Sequence, residues 1–132
     1  MKKSVLFFAV CLFAASLVHA QSVTIISPNG GEDWAMGSTQ FISWQFSEGA
    51  CKPVKIILSR DGQLVCTIAE KVPCDKFGKG FFKWQVGYVS NPNPYVLEQP
   101  KECCQPGKGY RIEVKTIDFM LSDASDNPFK IS

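Results

Sequence analysis

Val54-Lys55-Ile56-Ile57-Leu58, then Asp61-Gly62, then Gln63-Leu64-Val65-Cys66-Thr67-Ile68: two apolar runs meet at an Asp-Gly pair. Asp-Gly between such runs is a strong local signal for a β-hairpin. The same grammar extends in both directions. Upstream, Thr39 to Phe46 alternates, with Phe41 and Ser43 on one face and Ile42, Trp44 and Phe46 on the other. Before it, β-branched Val23-Thr24-Ile25-Ile26 stops at the turn cluster Pro28-Asn29-Gly30-Gly31. Downstream lie Phe81-Phe82-Lys83-Trp84-Gln85-Val86, the alternating Tyr110-Arg111-Ile112-Glu113-Val114-Lys115, and Phe129-Lys130-Ile131. About seven short strands with no convincing amphipathic helix predict an all-β, two-sheet antiparallel β-sandwich. Each strand buries one face, and facing sheets sit about 10 Å apart. Trp44, Ile56, Leu58, Ile68, Trp84, Tyr110, Ile112, Val114 and Phe129 are the expected core.

The 132 residues, 45% hydrophobic and 20% charged, suit a globular chain of one domain. Residues 1–20 read as a Sec-type signal peptide. Lys2 and Lys3 are the basic n-region, Val5 to Val18 the apolar stretch, and Val18-His19-Ala20 the cleavage site. That stretch is shorter than the roughly 20 residues a spanning helix needs. A lipoprotein cut at Cys11 would leave too short an apolar region before it. The C-terminus lacks the tail of a GPI anchor. The expected product is residues 21–132, secreted or periplasmic, with no membrane span after cleavage.

Cleavage at Ala20 removes Lys2, Lys3 and the single histidine, His19. The 14 basic residues fall to 12, equal to the 12 acidic ones. A neutral chain speaks against nucleic acid, whose binding rests on phosphate neutralisation. Without histidine there is no Ser-His-Asp or Cys-His catalysis and no His-ligated metal. Glu32/Asp33 and Glu98/Glu102 could in principle serve glycoside hydrolysis, which needs two carboxylates. A bare sandwich implies no cleft for them, so no catalytic residue, metal or cofactor is expected. Asp118, Asp123 and Asp126 offer oxygen ligands, but their spacing matches no calcium loop. Turn-forming hydrogen bonds are the expected role of Asp123, Ser125 and Asp126.

Of six cysteines, Cys51, Cys66, Cys74, Cys103 and Cys104 remain after cleavage. An oxidising compartment favours disulfides. Five is odd, so at most two bridges form and one thiol is left, open to a covalent dimer. The spacing is wrong for a zinc site, and sequence alone does not choose the pairing. Residues 87–109 hold four of the eight prolines and the Cys103-Cys104 pair, with no clear long strand. Loops this long are usually functional or flexible. Tyr88 and Tyr95 there are candidate binding residues, Tyr95-Val96-Leu97 being either an edge strand or an exposed anchor. Trp34, in loop-like Glu32-Asp33-Trp34-Ala35-Met36, is the one tryptophan to weigh as a stacking platform, against core packing.

The order of motifs resembles one family. Ile26-Ser27-Pro28-Asn29-Gly30-Gly31-Glu32, Trp34, Gly37-Ser38 and Ile42-Ser43-Trp44 are followed by Val54-Lys55-Ile56 with Leu58. Gly80-Phe81 with Trp84-Gln85-Val86, Gly109-Tyr110-Arg111-Ile112 and Asp123 to Ile131 complete the order. The chain is similar over residues 23–131 to the Ig/fibronectin-like domain of yeast cell-wall β-1,6-glucan synthesis proteins, also described as the Ser-Thr-rich GPI-anchored family. The resemblance implies a non-catalytic extracellular or cell-surface module whose motif residues are structural. The 87–109 insertion and the cysteines depart from its pattern. In a sandwich of this kind alternate connections share an end, which makes Cys51–Cys74 the first-choice bridge. It also places Cys66 near Cys103 or Cys104. The expected function is a binding or structural role toward a glycan, an envelope component or a protein. The alternative is an effector or inhibitor docking through a disulfide-pinned 87–109 loop.

Overall fold

A computed structural model of the chain describes residues 21–47, 51–90, 95 and 97–132. The expected signal peptide lies outside the described residues. The strands are β1 (Val23–Ser27), β2 (Asp33–Trp34), β3 (Thr39–Phe46), β4 (Val54–Arg60), β5 (Gln63–Val72) and β6 (Lys79–Gln85). They continue with β7 (Tyr88–Val89), β8 (Lys101–Glu102), β9 (Gly107–Thr116), β10 (Ser122–Ala124) and β11 (Phe129–Ile131). One sheet has the order β1-β3-β6. The other has the order β2-β11-β9-β4-β5, with β10 on the flank of β9. Seven of these strands are the ones the sequence predicts. They form the three-plus-four arrangement of an Ig/fibronectin-III-like β-sandwich. The added strands are two or three residues long, too short to carry a periodic signal.

Period-2 alternation fills the space between the sheets. Ile42, Trp44 and Phe46 from β3 and Trp84 from β6 face Ile56, Leu58, Ile112, Val114 and Phe129 from the other sheet, all buried. All nine residues expected in the core are in it. The hairpin turns at Asp61 (φ 50°) and Gly62 (φ 80°), the positive pair a two-residue turn requires. Gly80 faces Trp44 across β3 and β6. A Cβ on Gly80 would run into the Trp44 indole, so only glycine lets that ring lie flat on β6.

The motif residues near both termini fasten the two sheets together. Gly30 adopts φ 139°, and a Cβ there would lie 2.6 Å from that of Asn127. The Glu32 carboxylate accepts the N–H groups of Asn29 (2.9 Å) and Gly30 (2.8 Å). Asp123 accepts the Ile25 N–H at 2.7 Å, which ties β10 to β1. Buried Ser125 Oγ accepts from Ile112 N–H (3.1 Å) and donates to the Pro28 carbonyl (2.6 Å). Asp126 Oδ2 accepts from the Asn29 side-chain amide at 3.0 Å. These acids satisfy backbone and amide donors, as their turn role requires.

Candidate functional site

Register fixes which loops meet. Gln45 pairs with Lys79, and Val54 pairs with both Val72 and Thr116. The 47–53, 73–78 and 117–121 connections therefore share one end of the sandwich. The Asp61-Gly62 turn and the 87–109 insertion belong to the other end.

Three ties brace the first end. Cys51 and Cys74 form a disulfide with Cα atoms 6.1 Å apart, the pairing expected for such a sandwich. Lys52 Nζ lies 2.7 Å from Asp118 Oδ2, joining the first loop to the third. Ile117 N–H donates to the Pro53 carbonyl at 3.1 Å. Within the third loop, Asp118 Oδ1 accepts the Thr116 hydroxyl (2.6 Å) and the Met120 N–H (3.0 Å). Phe119 N–H donates to the Thr116 carbonyl (2.8 Å), and Leu121 N–H to Thr116 Oγ1 (3.0 Å). In the second loop, Asp75 Oδ1 accepts the N–H groups of Phe77 (2.8 Å) and Lys79 (2.9 Å).

This network lies at the surface, with Asp118 42% exposed, and the side chains around it are apolar. Phe119 is 74% exposed, Met120 73% and Phe77 70%. Phe119 sits at φ 62°, a left-handed conformation that costs a bulky residue about 1–3 kcal/mol. A strained, hydrogen-bonded turn that holds an aromatic ring in water is a feature of binding loops rather than of packing. The acids beside it are already used by Lys52 and by backbone donors, which leaves few acceptors for sugar hydroxyls.

The Lys52 ammonium, then the Thr116 hydroxyl and the Met120 N–H, hold the Asp118 carboxyl well below the usual carboxylate range. A depressed carboxyl stabilises the fold fully above its unfolded value near pH 4, and that contribution fades as pH falls through the lower folded value. The Met120 amide resonance should therefore stay constant from neutral pH to about pH 4 and move only in stronger acid. In Asp118→Asn it should be displaced at neutral pH already. Movement of the wild-type resonance between pH 7 and 5 would contradict this.

The residues singled out in the sequence are dispersed. Trp34 is only 7% exposed, packed edge-on against Trp84 (centroids 6.3 Å apart) and beside Phe129 (5.4 Å). It offers no face for stacking. Parallel pairing of β2 with β11 sets Trp34 opposite Ile131 and turns the indole inward. Tyr88 is half-buried. Its carbonyl accepts the Trp84 indole N–H at 2.9 Å, and it lines a cleft of about 290 Å³ between β5 and β6 with Ile68, Val72 and Phe82. Tyr95 is exposed in the insertion, as is Leu97. No disulfide pins the insertion among the described residues. It is held by the β7–β8 ribbon, the Trp84 bond and Cys103 N–H donating to the Gly87 carbonyl (2.7 Å). Cys66, Cys103 and Cys104 are free thiols, so one bridge is formed of the at most two that five cysteines allow. No group of three or more His, Cys, Asp or Glu suited to a metal occurs among the described residues.

No protein-family model and no curated protein matches the chain. Among solved structures it is similar to a crystal structure of an engineered protein, at 13% identity and a TM-score of 0.50 over 86% of this chain. It is also similar to the fibronectin(III)-like modules of Clostridium thermocellum CbhA, at 14% identity and a TM-score of 0.37 over 83% of this chain. The chain spans 20% of the first structure and 45% of the second. At such identities likeness concerns fold alone. None of these comparisons supports the resemblance to the glucan-synthesis domain.

Proposed function

We propose that the chain is an exported, non-catalytic β-sandwich module that binds a protein partner through the braced end carrying Phe77, Phe119 and Met120. One observation carries this reading. Phe119 is held out in solvent in a strained turn by an Asp118 network that a loop without a task would not need. Rigid aromatic and methionine side chains on a preformed loop lose little conformational entropy on binding and make effective anchors. Export rests on the N-terminal segment, and a cell-surface or envelope setting is what the motif resemblance adds.

The insertion is the competing surface, because Tyr95 and Leu97 are exposed there and Tyr88 lines a cleft. A photo-crosslinking amino acid at position 119, and separately at position 95, distinguishes the two when challenged with extracellular and envelope proteins. Position 119 should give a discrete adduct, and Phe77→Ser with Met120→Ser should weaken its formation at least about tenfold, since a lost anchor costs about 2 kcal/mol or more. An adduct from position 95 alone would assign binding to the insertion. Retention on immobilised polysaccharide that ignores the Phe77/Met120 variant would make the partner a glycan bound elsewhere.

A further inference from the structure

Three thiols come together where the insertion meets the edge strand β5. Cys66 lies on β5 opposite Leu58 of β4, close to the Asp61-Gly62 turn. Cys103 and Cys104 directly follow β8, and the Cys103 N–H is anchored to Gly87 by a 2.7 Å bond. The Cys66 and Cys103 thiols lie within interaction range of each other, and Cys103 within range of Cys104. Cys66 and Cys103 are half-buried, whereas Cys104 is buried against the core. Trp84 and Tyr110 supply that core, and the Tyr110 hydroxyl donates to the Gln105 carbonyl just beyond the pair.

We infer that Cys66 and Cys103 are a thiol–disulfide exchange site: Cys66 takes up a small disulfide of the glutathione class, and Cys103 resolves it into an intramolecular bridge. The Cys66 thiolate attacks one sulfur of the disulfide RSSR. That S–S bond breaks, a Cys66–S–S–R bond forms, and RS⁻ leaves and takes up a proton. Cys103 loses its proton to solvent and attacks the Cys66 sulfur. The second RS⁻ leaves and is protonated. Two protein thiols are oxidised and one disulfide is reduced to two thiols, so electrons and protons balance.

The order of attack follows from how the three thiols act on one another. The Cys103 thiol lowers the Cys66 thiol, against the opposing effects of burial and Cys104. For Cys103, the Cys104 thiol pulls down, but the Cys66 thiol and burial outweigh it and push the group up to about 12. The Cys103 thiol and burial push Cys104 up further still. Thiolate availability thus selects Cys66 as the entering nucleophile and holds Cys104 back. Geometry selects the bridge too. Adjacent Cys103 and Cys104 can join only by distorting their shared peptide unit, whereas Cys66 meets Cys103 across two separate elements. Closure would staple the β7–β8 side of the insertion to β5. Both β5 and Tyr88 of β7 line the cleft between β5 and β6, so the bridge would fix one of its corners.

The test uses the full chain, reduced and then exposed to oxidised glutathione, with unreduced peptide mapping. The expected products are a Cys66–Cys103 peptide, the re-formed Cys51–Cys74 bridge, and a Cys104 that is alkylated only after unfolding. Cys103→Ser should leave a stable glutathione adduct on Cys66, Cys66→Ser should lose uptake, and Cys104→Ser should still form the bridge. Because Cys103→Ser and Cys104→Ser touch neighbouring positions with opposite expected results, a general folding defect would show in both. A Cys103–Cys104 bridge, a glutathione adduct first on Cys103 or Cys104, or no uptake by the folded wild-type chain would each overturn the inference.

Discussion

Trp84→Ala should destabilise the fold by about 4 kcal/mol, the scale for removing a buried indole and leaving its cavity. Trp84 is buried, its edge meets Trp34, and its N–H donates to the Tyr88 carbonyl. It therefore links the sheet core to the start of the insertion. Two effects should separate. Trp84→Phe keeps most of the apolar volume but leaves the Tyr88 carbonyl without its donor, at a cost nearer 1–2 kcal/mol for the bond and the size change together. Urea unfolding followed by circular dichroism gives both values. Exchange of the Cys103 amide should rise in both variants, since that N–H bonds to Gly87 beside Tyr88. An alanine variant within 1 kcal/mol of wild type would remove Trp84 from the centre of the core.

The sequence carries the sandwich because each long strand has its inward face written at period 2. Val54, Ile56 and Leu58 are buried while Lys55, Ile57 and Ser59 between and after them are only half-buried, and Asp61-Gly62 supplies a turn that local sequence favours. Trp34 is harder to read. Glu32-Asp33-Trp34 looks like loop, and the indole turns inward only because β11, at the far end of the chain, runs alongside it. The braced end is harder again. Ile117 to Leu121 reads as an apolar run after a strand. Its outward aim depends on Thr116 and Asp118 and on Lys52, which is 66 residues away in the chain. Phe77 beside Gly78 and Phe119-Met120 after Asp118 do leave a faint trace, apolar residues placed where a turn is due. Tyr88 and Tyr95 attract notice because they lie in an irregular stretch, but irregularity alone does not say which way a ring points.

The Cys51→Ser/Cys74→Ser double variant should lose about 3 kcal/mol, the loop-entropy scale for a bridge closing a 23-residue separation. The loss has a second consequence. With the first two loops no longer joined, the Ile117–Pro53 bond is the named backbone tie left beside Lys52, and its 2.7 Å pairing with Asp118 should weaken. Exchange at the Phe77 and Met120 amides should then rise more than exchange in β4 or β9, whose amides are held by central pairings. Uniform loosening across the whole sandwich would mean that the bridge serves global stability and not the shape of this end. Because total stability is typically about 5–15 kcal/mol, the variant should stay folded at moderate temperature, which keeps its binding measurable.

The partner surface can be located directly by comparing amide exchange of the chain alone with that of its crosslinked complex. Slowed exchange confined to 73–79 and 117–121, with Phe77 and Met120 among the most protected amides, is the result expected if this end binds. Protection centred on 87–109, with the Phe119 turn unchanged, would contradict it.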